Sequence, residues 1–188
     1  YRRKSDLAGG TISRAVEPAW IRASLSLAGL CLLGGLLAYI VYPRLLAWSM
    51  VQVPETVRWA GVALATTTVV TTAWVFRSLG LNVSPTVVSR AGATLVTRGP
   101  YRFIRHPLYA NGAVTFLAYS LISGSWWFVA VLLAGAIPLA VRTRTEEAHL
   151  ERRFGEAWRA YASRTGRFFP RIGRSRRKMS PVSPAAAD

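Results

Sequence analysis

Residues 23–41 read A-S-L-S-L-A-G-L-C-L-L-G-G-L-L-A-Y-I-V, nineteen residues without a charge, preceded by Arg22 and stopped by Pro43-Arg44. At 1.5 Å per helical residue such a run nearly crosses a ~30 Å hydrocarbon core. A second run covers 57–76 and closes on Arg77, and two more cover 108–122 and 126–141. Only Ser123-Gly124-Ser125 separates the last two, which leaves room for nothing but a tight helical hairpin. The pattern predicts an all-α integral membrane protein with about four transmembrane helices. Gly29, Gly34 and Gly35 are expected to let another helix approach closely. The hydroxyls of Thr66, Thr67, Thr68, Thr71 and Thr72 are expected to bond the preceding turn. Pro138 should kink the last membrane helix, and Trp126-Trp127 suit an aromatic belt.

Composition supports this reading. Of 188 residues, 52% are hydrophobic and only 17% charged, against about a quarter charged in ordinary soluble domains. Lys and Arg number 24 against 8 Asp and Glu, a net charge of +16. Such an excess suits either nucleic acid or an anionic membrane surface. Here the cations flank apolar runs, so the expected partner is the lipid bilayer and not nucleic acid. Cys31 is the only cysteine and sits inside an apolar run. No internal disulfide is possible, and with His106 and His149 the only imidazoles there is no Cys/His spacing for a metal site.

The chain divides into a basic arm over 1–20, two N-terminal membrane helices over 21–77, a core over 78–172 and a basic tail over 173–188 expected to be disordered. Basic residues crowd the arm, the 78–107 segment and the C-terminal region, while 42–57 and 123–125 carry little charge. The positive-inside rule therefore puts both termini and the 78–107 segment in the cytoplasm. From Arg142 to about Ala162 the pattern is that of an amphipathic helix, with Leu150, Phe154, Ala157, Trp158 and Tyr161 on one stripe and Arg142, Glu146, His149 and Arg153 on another.

The richest chemistry lies in 93–109, A-T-L-V-T-R-G-P-Y-R-F-I-R-H-P-L-Y, and in 142–147, R-T-R-T-E-E. Phe154-Gly155, Trp158, Tyr161 and the R-F-F-P of 167–170 follow. Read as residues alone, His106 before Pro107 suits a helix start, Arg142 a membrane interface, and Arg105 a lipid phosphate. Together these strings resemble the isoprenylcysteine carboxyl methyltransferase family over roughly residues 78–172. The resemblance implies an integral membrane methyltransferase that uses S-adenosylmethionine at the cytoplasmic surface on a lipophilic acceptor, of which a prenylcysteine-like carboxylate is one form.

Carried over by position, it implies that Ala93, Thr94, Leu95 and Val96 line the cofactor site, partly through backbone groups. Ala93 stands where eukaryotic members carry His. Tyr101, His106, Pro107, Leu108 and Tyr109 would form the next wall, and Glu146 would hold a polar part of the cofactor. Arg142 matches the substrate position beside the reacting methyl, and Arg105 faces either substrate or a headgroup. The chemistry agrees, since a sulfonium, a zwitterion and an adenine call for a carboxylate, donors and aromatic walls. Membrane sterol reductases, which bind a nicotinamide cofactor, share a similar G-x-Y…R-H-P-x-Y ending, and a non-enzymatic membrane protein of the same fold stays open beside them.

Overall fold

A chain in lipid has no water to satisfy its backbone, so each apolar run closes its own hydrogen bonds as a helix. A computed structural model describes residues 18–80 and 94–171. Helix α1 spans Ala19–Val41, α2 Glu55–Leu79, α3 Pro107–Ser123, α4 Trp127–Phe154 and α5 Glu156–Arg164, with short 3-10 turns at Pro43–Ser49 and Gly99–Arg102. The expectations for Ala93, for residues 1–17 of the arm and for the 173–188 tail lie outside the described residues.

Helices α1, α2 and α4 are long and apolar enough to cross a membrane. Their outward faces are apolar: Leu30 is 66% exposed, Ile40 69% and Ile137 72%, a surface that suits lipid and not water. Helix α3 has 17 residues and rises only about 25 Å. It nevertheless runs antiparallel along α2. Arg58 donates to the Ile122 carbonyl at 2.8 Å near one end, and Asn111 donates to the Thr68 carbonyl at 3.0 Å and the Thr72 hydroxyl at 2.7 Å near the other. The expectation of four spanning helices therefore meets three that satisfy length and composition, and a shorter fourth packed beside them.

Of the three N-terminal glycines only Gly35 permits a close approach. A Cβ there would lie 2.8 Å from Trp127 Nε1, whereas Gly29 and Gly34 face open space. Four of the five threonines behave as expected: Thr66, Thr67, Thr68 and Thr71 donate to carbonyls three or four residues back, at 2.7–3.0 Å, while the Thr72 hydroxyl accepts from Asn111.

At one end of the bundle the two hairpins tie together. Val51 N–H donates to the Gly124 carbonyl at 2.7 Å, Trp126 N–H to Ser49 at 3.0 Å, and the Ser49 and Ser125 hydroxyls meet at 2.7 Å. Trp48 packs edge-on against Trp126 and Trp127 at 4.9 and 6.0 Å.

The amphipathic helix expected over 142–162 is instead two pieces. No helix-breaking residue separates Val141 from Arg142, so the first piece continues α4, and Pro138 lies inside that helix without ending it. Gly155, at φ 53°, ends α4, and α5 restarts at Glu156. Trp158 and Tyr161 are its buried face.

Candidate functional site

Ahead of α3 the chain turns at Gly99. Its φ is +61°, and a Cβ at this position would overlap the Ser78 hydroxyl, so only glycine fits. Pro100 is buried beneath the turn. The Tyr101 carbonyl accepts from the Tyr161 hydroxyl at 2.8 Å, which draws α5 onto the turn.

Residues 103–106 then pair with the stretch after α5. Ile104 bridges Gly166 in parallel. Arg105 N–H donates to the Gly166 carbonyl at 2.8 Å and His106 N–H to the Arg167 carbonyl at 3.0 Å. Two segments some sixty residues apart in sequence thus lie side by side, with the second half of α4 behind them.

Within this frame the ionisable side chains converge. Glu147 accepts from Arg105 Nε at 2.9 Å, from Arg167 Nε at 3.1 Å and from His106 Nε2 at 3.1 Å, and Arg167 adds a second, shorter bond to its other oxygen. The Arg105 guanidinium also donates to the carbonyls of Ala162, at 3.0 Å, and Thr165. Three guanidinium bonds thus tie Arg105 into the fold, where the sequence suggested substrate or headgroup. On the neighbouring face of α4, Glu146 Oε2 accepts from the Tyr109 hydroxyl at 3.2 Å and lies 3.9 Å from His106 Nδ1. The Arg142 charge lies close to both Tyr109 and Glu146.

His106 is 5% exposed. Its ring stacks on Tyr109 at 5.5 Å and 20°, with Phe168 tilted against it at 5.8 Å. Burial first, and the Glu146 charge second, raise the Tyr101 hydroxyl above the ordinary phenol range. Burial, against the opposing charge of Arg105, pushes Tyr161 up to about 12. Both phenols therefore remain hydrogen-bond donors through the physiological range.

Of the residues singled out in the sequence, Tyr101, Arg105, His106, Tyr109, Arg142 and Glu146 lie at this end of the bundle. Pro107 is buried at the first turn of α3, Leu108 is 37% exposed, and Thr94, Leu95 and Val96 lead into the Gly99 turn without regular secondary structure. Glu147 and Phe168 were missed as site residues, although both stand in the quoted strings. An open groove of about 490 Å³ lies on the far side of Glu147, lined by Arg144, Trp158, Arg159 and Arg167 among others; it does not include Tyr109 or Glu146. Among the described residues no three His, Cys, Asp or Glu side chains group as a metal site would require.

A family model described as phospholipid methyltransferase matches residues 56–157. The match takes in α2, where the resemblance of the motifs began only near residue 78. The cobalt-zinc-cadmium resistance protein CzcN of Cupriavidus metallidurans is 40% identical over 87 residues, which is 46% of this chain and 40% of that protein. The nickel-cobalt-cadmium resistance protein NccN of Alcaligenes xylosoxydans xylosoxydans is 38% identical over 87 residues, again 46% of this chain and 40% of that protein. The aligned part thus covers well under two thirds of either curated relative.

Proposed function

This chain belongs to the phospholipid methyltransferase family, and on that premise we propose that it transfers a methyl group from S-adenosylmethionine to a lipophilic acceptor at the membrane surface. The observation that carries the reading is buried His106 grouped with half-buried Tyr109 and Glu146, with Arg142 beside them at the end of the apolar part of α4.

The residues present fit the cofactor. Glu146 is a carboxylate with aromatic neighbours, suited to an ammonium or sulfonium cation, and Leu95 and Val96 are half-buried apolar groups suited to the wall of an adenine site. Bound there, the cofactor would supply an electrophilic methyl. Glu146, His106 and Tyr109 bind and orient it; Tyr101, Pro107 and Leu108 complete the wall. Ala93 and Thr94 contribute backbone groups.

Methyl transfer is an in-line displacement, so alignment of acceptor and methyl supplies much of the acceleration. Arg142 orients the acceptor from the membrane side. A carboxylate of the prenylcysteine type suits it best, because a guanidinium grips a carboxylate through two parallel bonds and such an acceptor needs no strong general base. Arg105 acts on the site through Glu147 rather than on substrate. The basic segments place this end of the bundle in the cytoplasm, with both termini, and α3 counts as the fourth crossing.

Calorimetry on the purified chain in detergent tests the reading. S-adenosylhomocysteine should bind in the micromolar range, roughly −8 kcal/mol, and NADPH should not. His106→Ala should weaken the binding. Binding of NADPH in place of S-adenosylhomocysteine would move the chain to nicotinamide chemistry.

A further inference from the structure

Successive residues on an α-helix point about 100° apart, so α4 offers its two adjacent carboxylates to different neighbours. Glu146 meets Tyr109, while Glu147 meets Arg105, Arg167 and the edge of His106. An ionised carboxylate only accepts hydrogen bonds. The imidazole nitrogen 3.1 Å from Glu147, Nε2, therefore carries a hydrogen. The ring cannot turn away, because Tyr109 stacks on it and Phe168 leans against it.

This arrangement directs Nδ1 toward Glu146. The 3.9 Å from Nδ1 to Glu146 Oε2 is beyond a hydrogen bond. With Nε2–H on Glu147, a neutral ring leaves Nδ1 as an acceptor facing Glu146, whose side chain is 29% exposed, so the gap between them is open to a donor from outside.

We infer that Glu147 is a positioning residue: it pins His106 through Nε2–H, so that Nδ1 and Glu146 together receive a hydrogen-bond donor of the ligand. The donor is an ammonium or a sugar hydroxyl, both of which S-adenosylmethionine carries. The identity of that donor rests on the proposed cofactor; the hold of Glu147 on His106 does not. Residues that orient a ligand-binding histidine through its other nitrogen serve metal sites in the same way.

The test uses the full chain with ¹⁵N-labelled histidine in detergent, with His149→Gln to assign the only other imidazole. Without ligand, His106 should show an exchange-protected Nε2–H and a bare Nδ1. On adding S-adenosylhomocysteine, the Nδ1 resonance should move and the Nε2 resonance should stay. Glu147→Leu should abolish the protected signal and weaken S-adenosylhomocysteine by about tenfold or more. Glu147→Gln retains an oxygen for Nε2 and should keep the signal, with affinity within about threefold of the parent.

A proton on Nδ1 in the ligand-free parent overturns the inference, whether or not Glu147→Leu folds. So does a Glu147→Gln variant that loses the protected signal, since the negative charge and not the acceptor would then be what matters. A parent that shows the expected ligand-free spectrum but does not bind S-adenosylhomocysteine leaves Glu147 in its role and refutes the cofactor reading instead.

Discussion

At the end of the bundle where residues 49–54 meet 123–127, the polar groups, Arg58 apart, are small and neutral, and they bond one another. Ser49 bonds Ser125 and the Leu46 carbonyl, Ser125 also accepts from Trp127 N–H, and Arg58 reaches the Ile122 carbonyl. At the opposite end the polar groups are large and ionisable, and they do not all satisfy one another. Arg105, Arg167 and His106 converge on Glu147, yet His106 Nδ1 and Glu146 Oε2 stand 3.9 Å apart. Buried polar groups are normally paired within the protein. The first end obeys that rule and closes two hairpins; at the second, a gap stands between His106 Nδ1 and the partly exposed Glu146, which the proposed ligand would fill.

The contrast can be broken most forcefully at Arg142. Arg142→Ala should lower turnover on the identified acceptor by ~100-fold or more, the scale of losing an orienting electrostatic contact at the reacting centre. Cofactor affinity should stay within about a factor of three, roughly 0.6 kcal/mol. Equal losses in both would assign Arg142 to the cofactor. Arg142→Lys should recover little if the forked geometry matters.

Glu146→Ala comes next. S-adenosylhomocysteine should bind about tenfold more weakly, near 1.4 kcal/mol, with little change in thermal stability in the ligand-free state; unchanged binding would remove Glu146 from the site.

At the neutral end Ser125→Ala should show the reverse profile. Loss of two hydrogen bonds, to the Ser49 hydroxyl and from Trp127 N–H, should cost about 2 kcal/mol of stability and leave S-adenosylhomocysteine affinity untouched. A binding defect there would mean that the two ends are coupled and not independent.

The gentlest test leaves the protein intact and asks which side each end occupies. In a Cys31→Ala background, Val51→Cys should react with an impermeant thiol reagent from outside the cell, and Arg102→Cys only after permeabilisation. Both positions are exposed on the protein surface, so the reverse pattern would invert the proposed orientation.

Much of this was legible in the residues. Charge-free runs imply helices in lipid because the backbone has no other way to be satisfied there, and Ser123-Gly124-Ser125 allows only a tight turn. His106-Pro107 announces a helix start through its own backbone restriction. The break at Gly155 was less legible, because the apolar stripe continues across it from Phe154 to Trp158 and periodicity by itself reads straight through. Glu147 did not stand out because helical spacing grouped Glu146 with Arg142 and His149 and left Glu147 on neither stripe.

What the sequence determined by itself is everything that depends on neighbours along the chain: the apolar runs, the hairpin, the all-α membrane class and the motifs that mark the family. The tertiary structure decided which carboxylate serves which partner, because that depends on residues 105–106 and 165–168 lying side by side, a pairing between segments some sixty residues apart that no local pattern encodes. It also decided that Arg105 bonds Glu147 and the backbone after α5, while Glu146 meets Tyr109. Adjacent side chains on one helix differ by about 100° in direction, and only the packing of the other segments around α4 turns that angle into two separate tasks.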